Sequence, residues 1–167
     1  MKIETTRLIR RIRIWLSLFI VGLVLSGLTA FPLERETASL NRMFGVAAVP
    51  PAAGEPGLHL WLRRVHEGVA HTNRDYPFMA YGTDWLAFAH LVIAVAFLGP
   101  LVDPVRNKWV LVFGAISCAG VLPLALIAGC IRGIPFYWRL IDCGFGVIGV
   151  MPLLICLHYI RRIEQTA

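Results

Sequence analysis

Residues Trp109–Ile131 read WVLVFGAISCAGVLPLALIAGCI, about 23 residues without a charge and slightly longer than the ~20 a helix needs to cross a ~30 Å hydrocarbon core. Three further blocks share that character: Ile14–Phe31, Trp85–Val102 and Leu140–Ile160. None carries a charge in its middle third. A spanning helix satisfies its own backbone polar groups and presents only side chains, so lipid demands apolar residues around the whole wheel. The pattern predicts an all-α, polytopic membrane protein: four transmembrane helices in one membrane domain of 167 residues. A hydrophobic content of 57% and a mean hydropathy of +0.69 agree, since a water-soluble domain this apolar would not stay monomeric. Trp15, Trp85, Trp109 and Trp138 each stand near the entry of a block, where an amphipathic ring prefers the headgroup region.

Working outward, the flanks set an expected orientation. Lys2, Arg7, Arg10, Arg11, Arg13, Arg106, Lys108, Arg161 and Arg162 lie on one side of the four blocks, against Glu4, Asp103 and Glu164. On the other side Arg35, Arg42, Arg63, Arg64, Arg74, Arg132 and Arg139 balance Glu34, Glu36, Glu55, Glu67, Asp75, Asp84 and Asp142. Short cytoplasmic segments retain positive charge, so both termini are expected in the cytoplasm. The basic balance then reports topology and contact with the lipid bilayer, not nucleic acid. The amino-terminal block is read as an uncleaved first span. Its apolar stretch exceeds the 7–15 residues usual in a signal peptide, and Leu28 suits a cleavage site poorly.

The segment 32–84 is the one long hydrophilic stretch, expected outside the cytoplasm. Val46–Gly57 is rich in Ala, Pro and Gly and reads as an extended linker. Beyond it Leu58, Trp61, Leu62, Val65 and Val69 recur at helical spacing, with Arg63, Arg64, Glu67 and His71 opposite. This predicts an amphipathic helix of about four turns within a short extracytoplasmic cap of one or two helices. Small residues suggest packing seams: Gly22 and Ser26 on the first span, Gly114, Cys118, Ala125 and Gly129 on the third, Gly144, Gly146 and Gly149 on the fourth. The short link between the third and fourth spans predicts a tight antiparallel hairpin.

Polar residues gather at the outer ends of the second to fourth spans. At 1.5 Å per residue His90 lies ~7.5 Å below Trp85 and Asp142 ~6 Å below Trp138, which places them at one expected depth. Asp84, Arg132 and Arg139 lie just above. Ionisable groups in hydrocarbon are costly and mark a functional site by default. The five residues Asp84, His90, Arg132, Arg139 and Asp142 therefore form the candidate ligand-binding layer. Each charge also has a structural reading: Asp84 as a helix N-cap, Asp142 in a first turn beside Arg139, and Arg132 at a helix C-terminus. The leading functional expectation is an accessory or binding subunit that anchors a membrane protein partner or an anionic lipid-like ligand.

A redox role is the alternative, with His90 contacting haem b or a quinone. His158 is expected ~24 Å deeper than Asp142 and does not serve as a second axial ligand. His59, His66 and His71 on the outer segment are the remaining candidates for that ligand, but His59 and His66, seven apart at the edge of the apolar stripe, read as interfacial residues of the amphipathic helix. A small transporter is a further alternative, because Pro123 and Pro152 interrupt two spans. Neither a catalytic triad, a phosphate loop nor a metal-ligand spacing stands in the sequence, and the lack of a C-x-x-C separates the chain from the four-helix membrane thiol oxidoreductases. Cys118 and Cys156 read as small buried hydrophobes, while Cys130 and Cys143 fall near one end of the hairpin, where a disulfide is conceivable.

YPFMAYGTDW at Tyr76–Trp85 and RGIPFYWRLID at Arg132–Asp142 resemble segments of a family of small uncharacterised bacterial four-helix integral membrane proteins. The resemblance implies a bacterial inner-membrane location and transfers no activity, cofactor or ligand.

Overall fold

The computed structural model describes residues 2–46 and 56–166. The linker expected over 46–57 therefore lies, for 47–55, outside the described residues. The fold is all-α, 89% helical, with no strand among the described residues. The elements are α1 (Lys2–Ala30), α2 (Leu33–Met43), α3 (Gly57–Asp75), α4 (Ala80–Ala96), α5 (Leu98–Val102), α6 (Lys108–Pro123), α7 (Gly129–Ile131) and α8 (Phe136–Thr166). A 3₁₀ turn at Pro77–Met79 leads into α4, and a π-helical stretch at Leu124–Ala128 joins α6 to α7.

Four helical stretches are long and apolar enough to cross a membrane: Glu4–Ala30, Pro77–Val102, Lys108–Ile131 and Phe136–Gln165. Their outward apolar side chains, among them Ile14, Leu18, Trp109, Ile116, Phe145 and Ile148, are exposed. In water such surfaces would cohere; in lipid they are already solvated, and the architecture is that of a multi-pass membrane protein. The helices overrun the apolar blocks at several ends. α1 begins at Lys2 and α8 runs on to Thr166, because Lys, Arg, Glu and Gln favour helix as well as Leu does. Trp15 consequently stands inside α1 and packs against the core instead of marking the helix entry.

The chain divides into two compact units, residues 1–23 with 93–167 and residues 24–92. In the first, α6 and α8 form the expected antiparallel hairpin. The core gathers Leu8, Ile12 and Leu16 of α1 with Phe97, Leu111, Leu153, Cys156 and Ile160. Phe19 tilts against Phe97 with ring centroids 4.8 Å apart. Between α6 and α8 the glycines differ in role. A Cβ on Gly146 would stand 2.6 Å from the Cys118 carbonyl oxygen, and one on Gly149 3.2 Å from Cys118 Sγ, whereas Gly144 faces open space. The hairpin link is a Schellman turn: Gly133 (φ +69°) and Ile134 donate their N–H groups to the carbonyls of Cys130 and Gly129, and Pro135 blocks further helix. At the opposite end of this unit the Arg13 guanidinium donates to the Leu101 and Val102 carbonyls at 3.1 and 3.2 Å, capping a helix C-terminus with a cation. Lys108 pairs with Glu164 at 2.7 Å.

In the second unit α2 and α3 run antiparallel. Thr37 Oγ1 lies 3.0 Å from His66 Nδ1, and Asn73 donates to Glu34 at 2.9 Å. Helix α3 has the expected amphipathic pattern, with Leu62 buried, and extends to 19 residues. Helix α2 ends in a second Schellman turn at Gly45 (φ +66°). The close approach of α1 to α4 falls at Gly27, where a Cβ would lie 2.9 Å from the Ala87 carbonyl oxygen. Gly22 has open space instead, so the expected Gly22–Ser26 seam is not the contact face.

Candidate functional site

Arg132, Arg139 and Asp142 belong to the first unit, Asp84 and His90 to the second. Around the α7–α8 turn, Arg132 is the C-cap of α7 and is exposed, so the expected placement of a cation at a helix C-terminus holds. Arg139 sits one turn into α8 and turns back across the hairpin. Its aliphatic stem covers Gly129, where a Cβ would come within 2.7 Å of Cδ. Its guanidinium carbon lies 5.3 Å from the Phe136 ring centroid, a cation–π distance. One terminal nitrogen donates to the Leu126 carbonyl at 3.1 Å, while Nε is buried without a hydrogen-bond partner among the described residues.

That carbonyl lies in the π-helical stretch that follows Pro123. Proline supplies no N–H and its ring crowds the preceding turn, and the helix answers with the π-helical turns of Leu124–Ala128. The interruption expected of Pro123 is therefore real; Pro152, in contrast, lies within an uninterrupted α8. The pairing expected of Arg139 with Asp142 does not form, since the guanidinium is held by Leu126 and Phe136. Asp142 is the seventh residue of α8, half-buried and beyond the first turn, so the macrodipole gives it little support.

The N-cap reading of Asp84 is also corrected. Pro77 opens the 3₁₀ turn and α4 starts at Ala80, which leaves Asp84 inside the helix, half-buried and with no hydrogen bond or ion pair among the described residues. Proline at a first helical position is a sequence signal for this earlier start. Trp85 likewise stands within α4, stacked edge-on between Tyr81 and Phe88. His90 bonds its own helix: Nδ1 is 2.8 Å from the Leu86 carbonyl. A carbonyl only accepts, so Nδ1 carries the proton, and in the neutral ring Nε2 is left as the basic nitrogen. The His90 Cβ packs against Gly27.

Two of the other histidines have partners within the second unit. His66 reaches across to Thr37, the one buried polar residue among those described, while His71 meets Asp75 at 3.0 Å on the same helix. Helical spacing of the apolar positions along α3 marks its inward stripe but not a partner on α2. All four cysteines are free thiols, including Cys130 and Cys143, and Cys156 Sγ donates to the Ile12 carbonyl at 3.6 Å. No cluster of three or more His, Cys, Asp or Glu suited to a metal ion occurs among the described residues. No known protein family, curated protein or solved structure matches the chain.

Proposed function

We propose that this is a multi-pass protein of the bacterial inner membrane, with both termini cytoplasmic, that acts as a binding or accessory subunit through cations at the α7–α8 turn. The observation carrying this reading is the Arg139 guanidinium, fixed over Gly129 by Leu126 and Phe136 with one buried N–H still unused. Beside it in the chain, Arg132 is exposed at a helix end. A preorganised guanidinium recognises planar oxyanions, carboxylate or phosphate, with less ordering cost than a free arginine. The ligand this favours is the anionic group of a lipid-like molecule or the acidic segment of a membrane protein partner.

The test is purification of the full chain from native membrane with mass analysis of what accompanies it. Arg132→Gln combined with Arg139→Gln is expected to reduce recovery of the anionic companion by roughly ten-fold or more, at about five-fold per cation near a membrane surface. Arg132→Gln alone, which leaves the Leu126 contact intact, is expected to give the smaller part of that loss. Unchanged recovery in both variants overturns the reading.

One observation favours a second reading, a redox role for the second unit. With Nδ1 donating to Leu86, His90 has the tautomer and ring restraint typical of a histidine that ligates through Nε2. Haem b held through His90, or a quinone carbonyl beside it, would supply electron transfer; His90 itself would hold the group through Nε2. Pigment or extractable quinone that disappears in His90→Ala is the expected result on this reading. A colourless wild-type preparation without quinone overturns it.

A further inference from the structure

The arginines at the opposite end of the first unit do a different job from Arg132 and Arg139. Their level follows from contacts within that unit. Cys156 Sγ touches the Ile12 carbonyl, and α1 and α8 run antiparallel through the core they share, so Arg7 and Arg161, each five residues further on, come level ~7.5 Å beyond it. The Lys108–Glu164 pair and the Arg13 contacts with Leu101 and Val102 bring the α5–α6 turn to the same end, with Arg106 in that turn. Arg13 and Lys108 are thereby occupied. Arg7, Arg10, Arg11, Arg106 and Arg161 are exposed and have neither a carboxylate nor a hydrogen-bonding partner for their side chains among the described residues.

What accompanies these charges identifies the partner. On α1, Arg7, Arg11, Ile14, Leu18 and Val21 fall within about 80° of one another around the helix, at 100° per residue, so they form one exposed stripe. The stripe is cationic over its first turn and apolar over the next ~11 Å. Trp109, 70% exposed, stands next to Lys108 and supplies an interfacial ring at the start of α6. A nucleic acid or an acidic peptide would match the charges and leave the apolar run unmatched. A molecule with a phosphodiester at one end and hydrocarbon chains at the other matches both.

We propose that this end of the first unit is a recognition surface for anionic phospholipid, with Arg7 and Arg11 on the headgroup phosphate, Arg10, Arg106 and Arg161 raising the local positive potential, and Ile14, Leu18 and Val21 along an acyl chain. The surface selects headgroup charge; it does not merely tolerate the bilayer.

The test uses the purified full chain in a neutral detergent, offered equal amounts of phosphatidylglycerol and phosphatidylcholine with identical chains, with bound lipid counted by native mass spectrometry. Wild type is expected to retain phosphatidylglycerol over phosphatidylcholine by about five-fold or more, and incubation at high salt is expected to bring the ratio toward one. Arg7→Gln with Arg11→Gln is expected to lower the ratio several-fold, while Arg7→Lys with Arg11→Lys retains most of it. Both residues are exposed, so these changes leave the core intact, and the salt titration of wild type stands independently of any variant. Equal retention of the two lipids by wild type overturns the proposal, as does an unchanged ratio in the glutamine variant. Displacement of phosphatidylglycerol by single-stranded DNA at equal phosphate concentration would also overturn it, assigning the arginines to phosphate alone.

Discussion

Gly146→Ala is expected to destabilise the protein by about 1–3 kcal/mol, the usual cost of adding a methyl group to a filled interior. Gly144→Ala, two residues away, is expected to be neutral or up to ~1 kcal/mol stabilising through helix propensity. The difference lies in what each new Cβ meets. At 146 it would lie 2.6 Å from the Cys118 carbonyl oxygen and 3.0 Å from Val121 Cβ, and at 144 nothing lies within 4 Å. A backbone carbonyl has no rotamer to retreat into, so α6 and α8 must separate. Separation is expensive in a membrane, because helix association there relies on close packing and not on exclusion of water. Thermal unfolding of the two variants in the same detergent checks the contrast. Equal midpoints would show that the hairpin is not held by this approach.

That contrast also marks where sequence reading stops. Lipid forces apolar residues to recur around the whole helix, and for this reason the four spans and the hairpin of α6 and α8 were legible from hydropathy alone. The same uniformity erases the facing side. Gly144, Gly146 and Gly149 read alike on an all-apolar wheel, and Gly22 and Gly27 differ by about 140° in direction with nothing in the residues around them to say which meets α4. Helix ends were hidden for another reason. Hydropathy registers the hydrocarbon boundary, whereas Arg10, Arg11, Arg161 and Arg162 continue a helix beyond it without difficulty. Asp84 and Asp142 accordingly lie deeper in their helices than the apolar blocks imply.

The candidate residues were identifiable as ionisable groups in unusual places, but their partners were not. Spacing on a regular helix pairs Arg139 with Asp142, three residues on. The actual acceptor, Leu126, lies thirteen residues back across the hairpin, in the π-helical stretch after Pro123, where no i, i+4 rule looks for it. His90, read from the sequence as a candidate ligand-binding residue, spends one nitrogen on its own backbone. The sequence therefore located the chemistry by residue type, while the deviations from regular helix decided which atoms are engaged.

Phe97→Ala is expected to cost about 3 kcal/mol, and adding Gly114→Ala to it is expected to cost less than Gly114→Ala does on its own. Phe97 is fully buried where α4 meets α5, against Phe19 and the face of α6 at Gly114. Removing the ring leaves a cavity, and buried Phe→Ala changes typically cost ~3–5 kcal/mol; the lower end applies here because lipid, unlike water, gives little penalty for exposing apolar surface. Gly114→Ala alone is expected to destabilise by about 1–2 kcal/mol, since its Cβ would stand 2.6 Å from Phe97 Cζ and 2.9 Å from Leu153 Cδ1. In the double variant the first clash no longer exists, and the new methyl group fills part of the space the ring vacated. The two changes share one volume, so their effects should fall short of additivity by about 1 kcal/mol or more. Additive losses across the cycle, measured as unfolding free energies in one detergent, would mean that Phe97 does not pack against α6 at Gly114.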